Sequence, residues 1–444
     1  MEEKIREAIK KLDSLSKGKK IKVISHYDTD GITSAAIFSR ALQRANKSFS
    51  IDVIKNLEIE YIESLSENDI LIFLDLGSGS LNHLAKKKTD IFIFDHHEIS
   101  SEIPENITMI NPLLFAGENV ASSALCYLFA VSLSEQNKDL SNLAVIGMIG
   151  DMLDAEIGKT YEKILRDSEV IIKRGLLLYP ATRPLDKVLE NSLSFYIPGV
   201  TGSASGTLEL LRDADLQKNS KSFKSLAELT EKEMSSIITA IMLKRSENNS
   251  ISDSDLIGKF YLVKFFNRLE DARELSALIN ACGRMDCPYI ALGFCLGNKS
   301  LKGEAEKIYT KYKKTISSAL EQISEIEKIE GKNYTIINAQ DKIKDTIIGT
   351  LASIISFSPL YPEGTIIITM AYLEEKNKVK VSARLAGRKG RNVREILHKA
   401  SIPISCEVGG HPNAAGCLIP REKEQEFINN LRQQLEIEIV KVNS

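Results

Sequence analysis

His26, Asp28 and Asp30 stand two apart in the run IKVISHYDTDGITSAAIF. Carboxylates this close repel one another and lose hydration when a fold encloses them. A divalent cation removes that penalty. One cation would be satisfied by His26 and Asp28, but the chain offers more donors: Asp30, Asp75, His96 and Asp151 also fall at or beside predicted strand and helix ends. That inventory suits two ions sharing a bridging carboxylate. Mixed imidazole and carboxylate shells favour Mn²⁺ over Ca²⁺, with Mg²⁺ the alternative. Two such ions, about 3.5 to 4 Å apart, activate a water and stabilise the oxygens of an in-line phosphoryl displacement. Phosphate-ester hydrolysis is therefore the expected reaction. Each segment alone also has a structural explanation: Asp-Thr-Asp-Gly makes turns, and Asp95 could cap a helix. Jointly that explanation weakens, because four of the six histidines (His26, His96, His97 and His411) fall in these few segments.

Such groups need a frame that brings distant segments together. From Lys22 to about Ile149, compact apolar runs (IKVISH, DILIFLD, DIFIFD) alternate with helical periodicity, as over Gly31 to Ala45 and Ser80 to Lys88. Alternating strands and helices imply a parallel sheet with right-handed crossovers. Ligands of such sheets sit outside the carboxyl ends of the strands, where these runs turn polar. Helices are expected from Asn119 to Ser134 and from Leu140 to Ile149, the second ending in GDMLD. Further on, IPGVTGSASGT reads as a loop into a helix, and ARELSALINACGRMD as a helix stopping at Gly283. A charged helical pattern runs from Leu301 to Ile329, and the remainder offers strands (YTIINA, GTIIITMAY, KVKVSARLA), helices and a glycine-rich loop, GGHPNAAG. The fold class is α/β: a parallel-sheet domain and a smaller α/β domain, joined by a helical linker with a middle insertion. The expected divisions are 1–157, 158–300, 301–332 and 333–444.

At 444 residues the chain should form two or three domains. A net charge of −2 excludes a strongly electrostatic, non-specific nucleic-acid binder, so any such contact must be local. The opening MEEKIREAIKKL does not read as a secretory signal, and no apolar run approaches the roughly 18 residues that span a bilayer. The expectation is a cytoplasmic protein with no membrane partner. Cys282, Cys287 and Cys295 lack a CxxC pair and a fourth ligand, and are read as buried reduced thiols.

HYDTDG, Asp75 in LDLGSG, DHH at 95–97, GDMLD at 150–154 and GGHPNAAG at 409–416 together resemble the DHH phosphoesterase superfamily. The specific likeness is to the RecJ-like subfamily, whose DHH-associated carboxy-terminal domain carries a GGH signature. INP at 110–112 and the serines at 122 and 123 resemble the segment that follows the DHH motif there. The likeness covers roughly residues 20–155 and 335–420. It implies that His26, Asp28 and Asp75 hold one metal and Asp30, Asp75, His96 and Asp151 the other, with Asp75 as the bridge. It further implies that His97 lies beside the scissile phosphate, that Asp95 orients the imidazoles, and that Arg384 binds substrate. Gly409 and Gly410 permit close approach of a phosphate to which His411 can donate. Arg388, Lys389, Arg391 and Arg394 form a local basic patch beside them.

The expected function is a two-metal, Mn²⁺- or Mg²⁺-dependent exonuclease of RecJ type acting on single-stranded DNA or RNA, with replication or repair proteins as partners. Arg268, Arg273, Arg284 and the TGSASGT loop would contact phosphates along the strand. The alternatives are a hydrolase of short oligonucleotides or cyclic dinucleotides, or a replisome scaffold related to helicase cofactors.

Overall fold

The computed structural model describes residues 1–444 except 116–117, 156, 193–196, 219–221, 247–255, 359, 388, 407 and 443–444, and leaves undescribed the side chains of 245–246, 375 and 437–442. The chain divides into two compact units, Met1–Tyr309 and Thr310–Ser444.

The first unit is built on five parallel strands, β1 Ile21–His26, β2 Phe49–Ile54, β3 Ile70–Leu74, β4 Ile91–Phe94 and β5 Ile107–Ile110, in the order β2-β1-β3-β4-β5. The residues of β3 and β4 are buried throughout, as a parallel sheet covered on both faces requires. Helices α1 Thr29–Arg44, α2 Ser122–Leu133 and α3 Ser141–Gly150 share one large core with the sheet. The interior faces of α2 and α3 are apolar nearly all round, which suits helices enclosed by neighbours. The strand order reverses between β1 and β3, and at such a switch point the loops leaving the two strands diverge and open a crevice. His26 closes β1, while Asp75 follows β3, Asp95 follows β4 and Asn111 follows β5.

The stretch expected as one middle insertion divides in two. Residues from Leu176 to Leu262 form a core of their own around β6 Ile171–Leu176, helices α4 Ala204–Asp213 and α5 Glu231–Ser246, and one side of β7 Ile257–Phe265. The strand β8 Arg268–Asp271 completes this three-stranded sheet. The other side of β7, helix α6 Ala272–Arg284 and residues to Cys295 pack into the core of the parallel sheet instead. An amphipathic strand with Phe260 and Leu262 on one face and Tyr261 and Val263 on the other joins the two cores. The boundary between the two units falls inside α7 Ser300–Glu325.

The second unit carries a six-stranded mixed sheet in the order β13-β14-β12-β11-β10-β9, from β9 Lys328–Gly331, β10 Tyr334–Asn338, β11 Ile366–Leu373, β12 Lys378–Leu385, β13 Val408–His411 and β14 Ala414–Pro420. Helix α8 Asp345–Ser356 packs against β11 and β12, where Thr369 Oγ1 donates to Ile348 O at 3.1 Å. Helices α9 Val393–Ser401 and α10 Glu424–Val442 share a core with the alternate residues of these strands. GGHPNAAG, expected as a loop, is instead a hairpin of β13 and β14: Gly410 holds φ +117°, and its glycines conceal the strand pattern.

Close approach of α6 fixes the loop between β1 and α1. A Cβ on Gly283 would lie 2.0 Å from the backbone oxygen of Tyr27, between the ligand candidates His26 and Asp28. Gly283→Ala should therefore cost about 1–3 kcal/mol, as overpacking against rigid backbone does. Gly303→Ala, on α7 with nothing within 4 Å, should be neutral or slightly stabilising. Chemical denaturation of both variants measures this, and an unchanged midpoint for Gly283→Ala would contradict the packing described.

Candidate metal centre

Asp75 sits at the bottom of the crevice, buried, with φ +60°. That left-handed conformation is unusual for a non-glycine residue, and it is held by the Asp75 N–H donating to Phe94 O at 2.9 Å. One oxygen, Oδ2, lies 3.3 Å from His26 Nδ1, which is also 3.0 Å from Asp28 Oδ2. The other, Oδ1, lies 3.5 Å from His96 Nε2, which is 3.2 Å from Asp151 Oδ2. Thus the two oxygens of one carboxylate face two separate ligand sets. His26, Asp28 and Asp75 present donor atoms within 4.8 Å of one another, and so do Asp30, His96 and Asp151. A third such set, Asp75, His96 and His97, overlaps both.

The arrangement fits divalent cations on an observation independent of residue type. Asp151 Oδ2 is buried without a hydrogen bond although His96 Nε2 is only 3.2 Å away, so the two atoms are close but not aimed at each other. Donors that converge on a common point in this way are arranged for a cation between them.

Electrostatics give the same picture. Burial, together with Asp75 nearby, pushes the Asp30 carboxyl up to about 7. Burial and Asp30 push Asp151 well above the usual carboxylate range. Burial opposes charge on His26 and His96, yet Asp28 and Asp75 beside the first, and Asp75 and Asp151 beside the second, outweigh it and hold both imidazoles well above their ordinary value. Burial likewise raises Asp75, but its contacts with His26 and His96 outweigh that and hold it well below.

Backbone donors hold the acids in place. Both oxygens of Asp30 accept from the first turn of α2, Oδ2 from Ser122 N at 2.7 Å and Oδ1 from Ser123 N at 2.9 Å, using N–H groups that a helix start leaves unpaired. Ser122 Oγ donates to Asp75 Oδ1 at 3.1 Å. Asp28 caps α1, its Oδ1 accepting from Gly31 N, which leaves Oδ2 toward His26. Asp95 is buried and accepts from Ser78 N and from His97 Nδ1 at 2.7 Å. Burial raises Asp95, but His97 outweighs it and holds the carboxyl below its usual range. Asn111 Nδ2 donates to His97 O at 2.9 Å and so steadies the same turn. Serines 122 and 123 enter the sequence reading only through resemblance. Their part here is largely backbone donation, which leaves no mark in residue type.

The substrate residues expected in the second unit lie in two places. Arg384 on β12 and His411 on β13 are both in register with Ala414, so they share one cross-strand row and one face of the sheet. Gly409 and Gly410 precede His411 on the exposed edge strand. Lys389 is exposed, but Arg391 donates to Leu435 O and Asn333 O within its own unit. Arg388 lies outside the described residues. In the first unit Arg273 is enclosed by Asp271 and Leu178 O, so it serves packing and not a strand path, while Arg268 is exposed. Ser203 of TGSASGT caps α4. Cys282 and Cys295 are buried free thiols.

Metal binding must displace the protons that the raised groups hold. A group whose folded pKa is raised stabilises the fold below its unfolded pKa and loses that contribution as pH rises through the folded value. Without metal, the contribution of Asp30 should be lost between about pH 4, where an unfolded carboxyl ionises, and about pH 7, where Asp30 does. The stabilisation by added Mn²⁺ should grow over the same window. Thermal unfolding with and without Mn²⁺ at about pH 5 and about pH 7 tests this, and a metal-induced shift that shrinks toward pH 7 would contradict it.

Family models match three successive segments: the DHH family, N-terminal domain, over residues 20–150, the DHH-CID domain over 178–256 and the DHHA1 domain over 330–436. An uncharacterised protein of Methanocaldococcus jannaschii, MJ0831, is 28% identical over 430 residues, covering 93% of this chain and 92% of that protein. Among solved structures, RecJ of Thermus thermophilus in complex with Mn²⁺ matches with a TM-score of 0.61 at 18% identity over 96% of this chain. The match spans 54% of that RecJ chain, about half its length, and the same protein is also solved with Mg²⁺. CDC45 of Entamoeba histolytica matches with a TM-score of 0.63 at 12% identity, over 98% of this chain and 99% of that one. At such identities the structural likenesses show the fold. With its DHH, DHH-CID and DHHA1 segments in order on that fold, the chain belongs to the DHH superfamily as a RecJ-like member.

Proposed function

We propose that the chain is a metal-dependent phosphodiesterase that removes nucleotides from the ends of single-stranded DNA or RNA. The observation that carries this reading is the carboxylate of Asp75, whose two oxygens face separate ligand sets. His26 and Asp28 on one side, and Asp30, His96 and Asp151 on the other, would hold two divalent ions, Mn²⁺ first and Mg²⁺ second. When bound, the ions would supply an activated water and charge stabilisation for an in-line displacement at phosphorus.

The chain's own residues supply the rest. His97 is partly exposed, and its Nδ1 is engaged by Asp95. Burial opposes charge on this imidazole, but Asp95 outweighs it and keeps the ring protonated to higher pH than usual. Its outer nitrogen can then donate to a phosphoryl oxygen, while Asp95 acts as a positioning residue. Arg384 and His411, two strands apart on one face, are suited to gripping a flanking phosphate, and Lys389 adds charge nearby in sequence. A scaffold without catalysis is disfavoured because every ligand position is filled by a competent donor. Association with replication or repair proteins is compatible with an active enzyme.

Cleavage of end-labelled single strands of DNA and RNA, from dinucleotides to roughly twenty nucleotides, tests the reading, with cyclic dinucleotides alongside and with Mn²⁺ or a chelator. Strands of about ten nucleotides should bind more tightly than dinucleotides, lose affinity as salt rises, and go uncleaved after chelation. Arg384→Ala should keep its Mn²⁺ by elemental analysis yet bind these strands more weakly. A rate that peaks at two or three nucleotides would replace the exonuclease by a short-oligonucleotide hydrolase.

A further inference from the structure

Most large apolar side chains left exposed on this protein are scattered, which is ordinary for a soluble surface. One group is not. Ile354, Phe357 and Leu360 follow one another at intervals of three residues across the end of α8, exposed by 38%, 71% and 78%. Nothing in packing calls for a phenyl ring there, since the helix already buries Ile347, Ile348, Leu351, Ala352 and Ile355.

The neighbours of this patch indicate its use. Arg384 Nε donates to Ser353 Oγ at 2.9 Å, and Arg384 Nη2 passes 3.7 Å from where a Cβ on Gly349 would lie. Gly349, Ser353 and Phe357 are spaced four apart and so form one row along α8, with the guanidinium lying across the first two. Phe357 N donates to Ser353 O at 3.2 Å, so the helical turn continues to the ring. The ring therefore stands one turn, about 6 Å, beyond the serine that holds the arginine. His411 shares the sheet face of Arg384 through their common register with Ala414. A cationic grip for phosphate and an exposed aromatic surface thus adjoin on one face of the second unit. Single strands are recognised by this pairing, in which a charged groove takes the backbone and aromatic faces take the bases.

We propose that Phe357, flanked by Ile354 and Leu360, is a stacking platform for the base of the nucleotide whose phosphate Arg384 and His411 hold. This rests on the reading of the protein as a single-strand nuclease and adds a base-contacting residue to it. The platform is indifferent to base identity, because every base has a π face, and it favours unpaired over paired strands.

The chain contains no tryptophan, so Phe357→Trp introduces a single indole at the exposed site. Its fluorescence is followed during titration of the full chain with a non-hydrolysable single strand of roughly ten nucleotides and with an abasic strand of equal length. Binding itself is read from the anisotropy of labelled strands, for the wild type and for Phe357→Ala. The expected result is quenching by the base-bearing strand but not by the bound abasic strand, and a loss of affinity in Phe357→Ala of roughly five- to a hundredfold for the former alone. If the wild type binds the strand while the indole is not quenched and Phe357→Ala binds equally well, the platform is refuted and the nuclease reading stands. If the wild type binds no strand, both fail. An emission shift that depends on protein concentration without any strand would overturn the platform by making the patch a contact between copies of the chain.

Discussion

The carboxylate of Asp75 is buried with Asp30, Asp151 and Asp28 in its field, and this crowding of anions is the constraint around which the first unit is arranged. Alone, the acids would hold protons, as the raised values of Asp30 and Asp151 show. The fold does not relieve the repulsion by separating them. It surrounds them with two imidazoles, two backbone N–H groups from the start of α2 and one serine hydroxyl. None of these donors supplies the full charge that several carboxylates require, and divalent cations do so.

The scaffold explains how the crowding is tolerated. Asp75 and Asp95 follow strands that are wholly apolar, and His26 ends one in which only Lys22 and Ser25 interrupt the apolar run, so the polar cluster is confined to one edge of a rigid sheet. α1 runs from Asp28 as its cap, α2 points its first N–H groups at Asp30, and α3 delivers Asp151 at its end. The contact of Gly283 with Tyr27 O closes the side of the β1 to α1 loop. The residues of α6 that make this contact are far along the chain, so the site depends on segments distant in sequence, as the hydrogen bond of Thr29 Oγ1 to Ser276 O, 247 residues apart, also shows.

Much of this was legible beforehand because strand ends and helix caps have sequence signatures. Apolar runs that stop at His26, Asp75 and Asp95 mark both the sheet and its polar edge, and the donor types at those ends are those that can hold a divalent metal. Other features carry no such mark. Backbone donors at Ser122 and Ser123 have no identity in the sequence. Arg273 and Arg391 look like free cations on paper, yet both are engaged by groups of their own unit. The strand pattern around His411 is hidden by two glycines, and the division of the middle region follows which face of β7 meets which core. Tertiary packing decides such points, and local pattern is silent on them.

The most direct test of the shared carboxylate is electron paramagnetic resonance of the wild-type protein titrated with Mn²⁺, with metal content measured in parallel. Two ions held by opposite oxygens of Asp75 should give two Mn²⁺ per chain and an exchange-coupled signal, and Asp75→Asn should abolish the coupling. A single Mn²⁺ at saturation, or two ions whose spectra are those of isolated centres, would contradict the account.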